Sequence, residues 1–132
     1  MLLEEACDMA ATGSYRFGVD SAHGEIDWRP VVVAIFDDLA RGVAPGIVAM
    51  RFHRAIADLA HTISMMHSDS PLVTCGGVFQ NAVLGELLAE RLAARPAGWW
   101  RPIAVPPGDG GLALGQLAVA AAAIQRRSAA KD

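Results

Sequence analysis

The sequence predicts an α/β fold in which a short hairpin and a long amphipathic helix precede two successive strand–loop–helix units. Three observations carry this reading. Two short apolar runs, residues 72–75 and 99–105, each lead into a glycine-rich loop and then into a stretch with helical periodicity. Between Pro45 and His67, the apolar residues Val48, Phe52, Ile56, Leu59, Ile63 and Met66 recur at steps of four and three, the stripe of an amphipathic helix. Upstream, large apolar residues alternate with small or charged ones over residues 15–19 and again over 25–28, the period of half-buried strands.

Each element follows in order. Residues 2–11 form a first helix, broken by Gly13-Ser14. The strand at 15–19 turns through 21–24 and returns antiparallel as 25–28. Pro30 is suited to the first turn of a helix reaching Ala40, although Val31, Val32 and Val33 are a β-branched run. The helix of residues 45–67 is about 33 Å long, enough to cross a small domain, and Ser68-Asp69-Ser70-Pro71 ends it. After the strand at 72–75 and Gly76-Gly77, the residues Val83, Leu84, Leu87, Leu88 and Leu92 mark a helix ending near Ala94. After the strand at 99–105 and the loop at 106–111, Leu114, Leu117, Ala121 and Ile124 mark one face of a helix from Leu112 to about Gln125. Consecutive units of this kind imply parallel strands joined by a right-handed crossover, with ligands beyond the carboxyl ends of the strands, where both glycine loops fall.

The chain has 132 residues, 53% hydrophobic and 19% charged, enough apolar material for one domain with a real core. Eleven Lys+Arg against 14 Asp+Glu give a formal charge of -3, and the longest basic run is Arg126-Arg127, so the clustered cations of a nucleic-acid binder are missing. Two cysteines, neither in a CxxC pattern, argue against a disulfide framework or a zinc site and for a reducing, cytoplasmic setting. Glu4 and Glu5 stand where a signal peptide needs a basic end, and the longest uncharged segment, residues 110–125, is too short to span a bilayer. The mean hydropathy of +0.32 is high for a chain this size, so some apolar surface is expected to meet a partner, a second copy included.

Candidate chemistry concentrates in the two loops. Gly76-Gly77 lets a backbone approach a ligand and precedes a helix whose N–H groups attract anions, although a tight turn with positive φ explains the same residues. TCGGVFQN is neither a Walker A loop nor a dinucleotide fingerprint. Asn81 reads as a helix cap or as an amide for a base or sugar. Asp109, the one ionisable side chain between Arg101 and Arg126, caps a helix, faces water, or binds a metal whose other ligands come from elsewhere. His53, His61 and His67 share one helix but cannot cluster, since His53 and His67 share a face about 21 Å apart. His53 is expected to be a satisfied interior histidine and His23 to be solvated. Cys7 and Cys75 are expected to be unreactive, Cys75 packing as a small hydrophobe. Trp99 and Trp100 point to opposite faces of a strand, so one should enter the core.

GGVFQN at 76–81, VPPGDGGLALGQ at 105–116 and RFHRAIAD at 51–58 occur together in that order, with SYRFGVD and GEIDWRP ahead of them. Jointly they resemble the end of HypF-type carbamoyltransferases, the hydrogenase-maturation family, over nearly the whole chain. Cys75 replaces the serine, and Gly108 the asparagine, usual in that family. The resemblance implies the second lobe of a two-lobed, actin-like ATPase fold akin to the TsaD-like enzymes, so residues 1–132 are one partial domain. It implies that Gly76, Gly77 and Asn81 contact ATP or carbamoyl-adenylate and that Asp109 is a ligand to a divalent metal (iron, zinc or magnesium). The implied activity transfers a carbamoyl group, from carbamoyl phosphate through carbamoyl-adenylate, to a cysteine of a HypE-like acceptor. The first lobe, or a companion chain supplying it, is absent, so the chain alone is expected to be inactive. Two alternatives stand beside this: a non-catalytic interaction module that self-associates or completes another chain, and the lobe of a small-molecule O-carbamoyltransferase.

Overall fold

The computed structural model describes residues 2–129. They fall into two compact units, residues 2–72 with 81–100, and residues 73–80 with 101–129.

The first unit is built around one long helix. α1 (Leu2–Glu5) is a single turn, shorter than the expected helix of residues 2–11, because the chain turns away to bond the start of the long helix: Asp8 N–H donates to Gly46 O at 3.0 Å. Gly46 is required there, since a Cβ would stand 2.7 Å from Ala6 O. The hairpin pairs β1 (Gly18–Asp20) with β2 (Glu25–Asp27) antiparallel in the register Gly18 to Asp27, Val19 to Ile26 and Asp20 to Glu25. The first strand therefore starts three residues later than residue 15. Tyr15 is drawn into the interior instead, where it packs with Val31 and Ala55.

α2 (Arg29–Ala40) carries Pro30 in its first turn, as expected. α3 (Pro45–Met66) matches the predicted long helix. Its predicted stripe is only half-buried, with Met66 exposed, and apart from Ala55 its deepest positions are Ala49, Met50, His53, Ala57 and Ser64 on a neighbouring face. Most of these are small, which lets another helix come close. That helix is α4 (Ala82–Leu92), which packs on α3 and buries Leu84, Leu87, Leu88 and Leu92. At about 1.5–3 kcal/mol for each fully buried leucine, this face is a major stabilising element of the unit.

β3 (Leu72–Val73) and β4 (Trp99–Trp100) form a second two-stranded sheet, with Leu72 N–H donating to Gly98 O at 3.2 Å. Both strands are shorter than expected. Pro102 lacks the N–H that a continuing strand would need, and Ile103 is almost fully exposed. Cys75 lies past the end of β3 and is exposed, so it does not pack as a small hydrophobe. Trp99 is half-buried and Trp100 exposed, so neither ring is wholly in the core.

In the second unit a 3-10 turn at Gly77–Gln80 and another at Asp109–Gly111 accompany the glycine loops. The latter turn leads into α5 (Leu112–Ala129), four residues longer than predicted. Its predicted inner face does not find a core here: Leu114, Leu117 and Ile124 are all exposed.

Candidate functional site

The second unit holds the two glycine loops side by side. Gly76 N–H donates to Pro107 O at 2.5 Å, and a Cβ on Gly108 would lie 3.3 Å from Gln80 Nε2 and 3.4 Å from Gly77 Cα. Each glycine has its own reason. Gly76 has φ +108°, a region that L side chains avoid. Gly111 is crowded, since a Cβ would stand 2.7 Å from Pro106 O. Gly77 is different: its φ is not positive, and a Cβ there would meet nothing within 4 Å. The protein itself makes no demand for glycine at 77, and its backbone is open to an approaching group.

Asp109 opens the second 3-10 turn, and its backbone carbonyl accepts from Leu112 N–H. The side chain makes no hydrogen bond among the described residues, so of its three readings the helix-capping one is not what the structure shows. One carboxylate gives one ligand of the several a divalent cation needs, and no group of three or more His, Cys, Asp or Glu could hold a metal among the described residues. A metal therefore does not fit the donor set of this chain alone.

Asn81 belongs to the first unit and is buried. It caps α4, Oδ1 accepting from Leu84 N–H at 2.8 Å. Its Nδ2 lies 2.8 Å from Nε2 of His53, also buried. Because an amide nitrogen only donates, Nε2 accepts and His53 carries its proton on Nδ1, which donates to Ala49 O at 2.9 Å. His53 is thus the satisfied interior histidine expected from sequence. Cys7 Sγ sits 3.3 Å from the same Nδ1 and donates to Leu3 O at 3.4 Å. Burial first, and the Glu4 charge second, push the Cys7 thiol up, away from the thiolate a nucleophile needs.

Glu4 completes the cap. Its Oε1 accepts from Ala82 N–H at 2.5 Å, and this bond above all lowers its carboxyl below the usual range. Two donors at the start of α4 are thus satisfied from within the unit. Sequence reasoning missed this contact because 78 positions separate its partners. It also missed the pairing of Asn81 with His53, for which the only local signal was a polar residue inside an apolar stripe.

A cluster around Asp38 fixes the other end of the unit. Tyr15 Oη donates to Asp38 Oδ2 at 2.8 Å, and Arg51 Nη1 donates to the same oxygen at 2.6 Å. Burial, then the Asp38 carboxylate, push the Tyr15 hydroxyl up to about 12. The Tyr15 hydrogen bond, followed by that of Arg51, holds Asp38 below the usual carboxylate range.

This combination of fold and loops has a family. The model of the carbamoyltransferase Kae1-like domain, second subdomain, matches residues 1–116, and the chain belongs to that family. It is 33% identical over 96 residues to the carbamoyltransferase HypF of Synechocystis sp., covering 70% of this chain and 12% of that protein. Its fold is that of part of a full-length HypF crystallised in a phosphate- and nucleotide-bound form, with a TM-score of 0.78 and 24% identity over 86% of this chain and 16% of that one. The chain thus spans about an eighth of the curated relative's length. No helix among the described residues is long and apolar enough to cross a membrane.

Proposed function

We propose that the chain is the second half of the transfer domain of a HypF-type carbamoyltransferase, using ATP and carbamoyl phosphate through carbamoyl-adenylate to carbamoylate a cysteine of a HypE-like acceptor. The observation that carries the reading is the pair of touching glycine loops within residues matched by the Kae1-like model. In this reading the open backbone at Gly76 and Gly77 lies against the phosphate of the adenylate. Asn81 holds the start of α4, and its second amide hydrogen serves the nucleotide. Asp109 contributes one metal ligand, the rest coming from outside the chain. The acceptor sulfur attacks the carbamoyl carbon, the bond from that carbon to the adenylate oxygen breaks, AMP leaves, and the thiol proton passes to solvent.

One wall does not make a cleft. Transfer needs groups fixed on more than one side of the reacting carbon, and the chain covers only 12% of its HypF relative. It works, in this reading, with a first lobe supplied by a companion chain or by the rest of a longer one. The test is complementation: a HypF-type protein lacking its own second subdomain, mixed with this chain, gains ATP- and carbamoyl-phosphate-dependent carbamoylation of the acceptor cysteine, read by mass spectrometry. No gain with any such protein refutes the proposal.

A second reading, a non-catalytic interaction module, draws on α5, where Leu117, Val119 and Ile124 are about two-thirds exposed. Unaltered binding of the companion lobe together with no transfer activity would select it.

A further inference from the structure

The imidazole of His53 and the thiol of Cys7 take no part in the transfer chemistry above, yet together they settle where the His53 proton sits. Cys7 Sγ lies 3.3 Å from Nδ1, and because its own hydrogen goes to Leu3 O, the sulfur meets Nδ1 as an acceptor. Burial, then the Glu4 charge, keeps that hydrogen on the thiol at neutral pH. Ala49 O accepts from the same Nδ1 at 2.9 Å. Two acceptors at Nδ1 leave Nε2 bare, the one form in which it accepts from Asn81 Nδ2 at 2.8 Å.

This bond does something the helix cap cannot do alone. The terminal torsion of an asparagine is broad, so with Oδ1 held only by Leu84 N–H, the plane of the amide stays unset. A carboxamide is flat and carries two hydrogens on its nitrogen. Once Oδ1 is bound to Leu84 and one Nδ2 hydrogen to His53, the direction of the second hydrogen is fixed.

We propose that His53 is a positioning residue for the nucleotide, setting the direction of the Asn81 amide hydrogen that meets the adenylate. This rests on the contact of Asn81 with the nucleotide proposed above. His53 is only 4% exposed and acts through Asn81, touching no substrate itself. The adenosine phosphate is bound before and after the carbamoyl group leaves it. Loss of the contact therefore weakens nucleotide binding and leaves the transfer step nearly unchanged.

The test uses the complemented enzyme with AMP as the probe, because AMP is the nucleotide left by transfer and competes for the same contact. His53→Leu is expected to raise the inhibition constant of AMP about three- to tenfold, the worth of one hydrogen bond, with kcat within about twofold of the parent. His53→Asn, a polar side chain too short to reach Asn81, does the same, so the test does not depend on leucine being tolerated. His53→Gln, whose side-chain oxygen accepts from Asn81, recovers the parent's constant. Asn81→Ser, which lacks the amide, matches His53→Leu. Nitrogen-15 NMR of the parent chain shows His53 protonated on Nδ1 and bare on Nε2, and a proton on Nε2 overturns the proposal. Variants of His53 that melt earlier but bind AMP like the parent, while Asn81→Ser does not, overturn it too and leave the proposed function standing. If Asn81→Ser also binds AMP like the parent, Asn81 does not meet the nucleotide and the positioning role falls with that contact. A complemented parent without transfer refutes the function and the inference together.

Discussion

Asn81 Nδ2 donates to His53 Nε2 at 2.8 Å while its Oδ1 accepts from Leu84 N–H, so one amide both starts α4 and ties it to α3. Removing it leaves a helix uncapped and a buried imidazole nitrogen unpaired. Asn81→Ala is expected to cost about 2–4 kcal/mol, the sum of a lost cap and an unsatisfied buried acceptor. Asn81→Ser keeps a cap but loses the His53 contact, and should cost about half as much. Urea unfolding measures both: equal losses would show that the cap contributes nothing, and a serine variant as stable as the parent would show the same of the His53 bond.

Arg95 closes the other end of the helix pair. Its Nη2 donates to Ser64 O at 3.2 Å and His67 O at 2.7 Å, and Nη1 to Gly98 O at 2.9 Å, so a buried guanidinium covers the carbonyls at the end of α3. No acidic side chain joins it in these bonds, and Nε finds no partner. Arg95→Ala is expected to destabilise by about 3 kcal/mol, and Arg95→Lys nearly as much, because a point donor cannot span three carbonyls. Hydrogen exchange should rise first in the last turn of α3. A lysine variant as stable as the parent would contradict the fork.

Tyr15 is the single tyrosine in the sequence, which makes its titration directly visible. Absorbance near 295 nm should show tyrosinate forming with a midpoint about 12, raised by burial and by Asp38. A folded-state value above the ordinary 10 means stability that is complete below pH 10 and lost as pH climbs toward 12. Tyr15→Phe should flatten that alkaline loss. An ordinary midpoint near 10 in the folded protein would break the cluster as described.

Asp38 has the opposite sign. Its carboxyl is held below the usual 3.8 by hydrogen bonds from Tyr15 and Arg51, so it stabilises the fold above pH 4 and that contribution fades as pH falls through the lowered value. Melting temperature against pH should show a steeper acid limb for the parent than for Asp38→Asn. Identical limbs would count against the cluster.

How much of this could be read in advance depends on the range of the contacts. The hairpin, α2, α3 and the loop positions were legible, because alternation, helical spacing, proline and glycine act over a few residues. His53 was legible as interior, since a polar residue within an apolar helix face must be satisfied there. The α1 turn was not, because it ends where Asp8 and Gly46 meet, 38 positions apart. The strand at residue 15 shifted because Tyr15 had a better partner in Asp38 than in a facing strand. Cys75 was misplaced because β3 stops at Val73. The loops were visible as glycine clusters, but their mutual contact, Gly76 to Pro107, belongs to the fold.

The most direct measurement is acceptor carbamoylation by the complemented enzyme carrying Gly77→Ala, beside its melting temperature. If the open backbone at Gly77 lies against the adenylate, the variant melts like the parent, because its new methyl meets nothing in the protein, and transfer falls by at least about tenfold. Full transfer by a stable Gly77→Ala enzyme would contradict the nucleotide-binding role of the glycine loops.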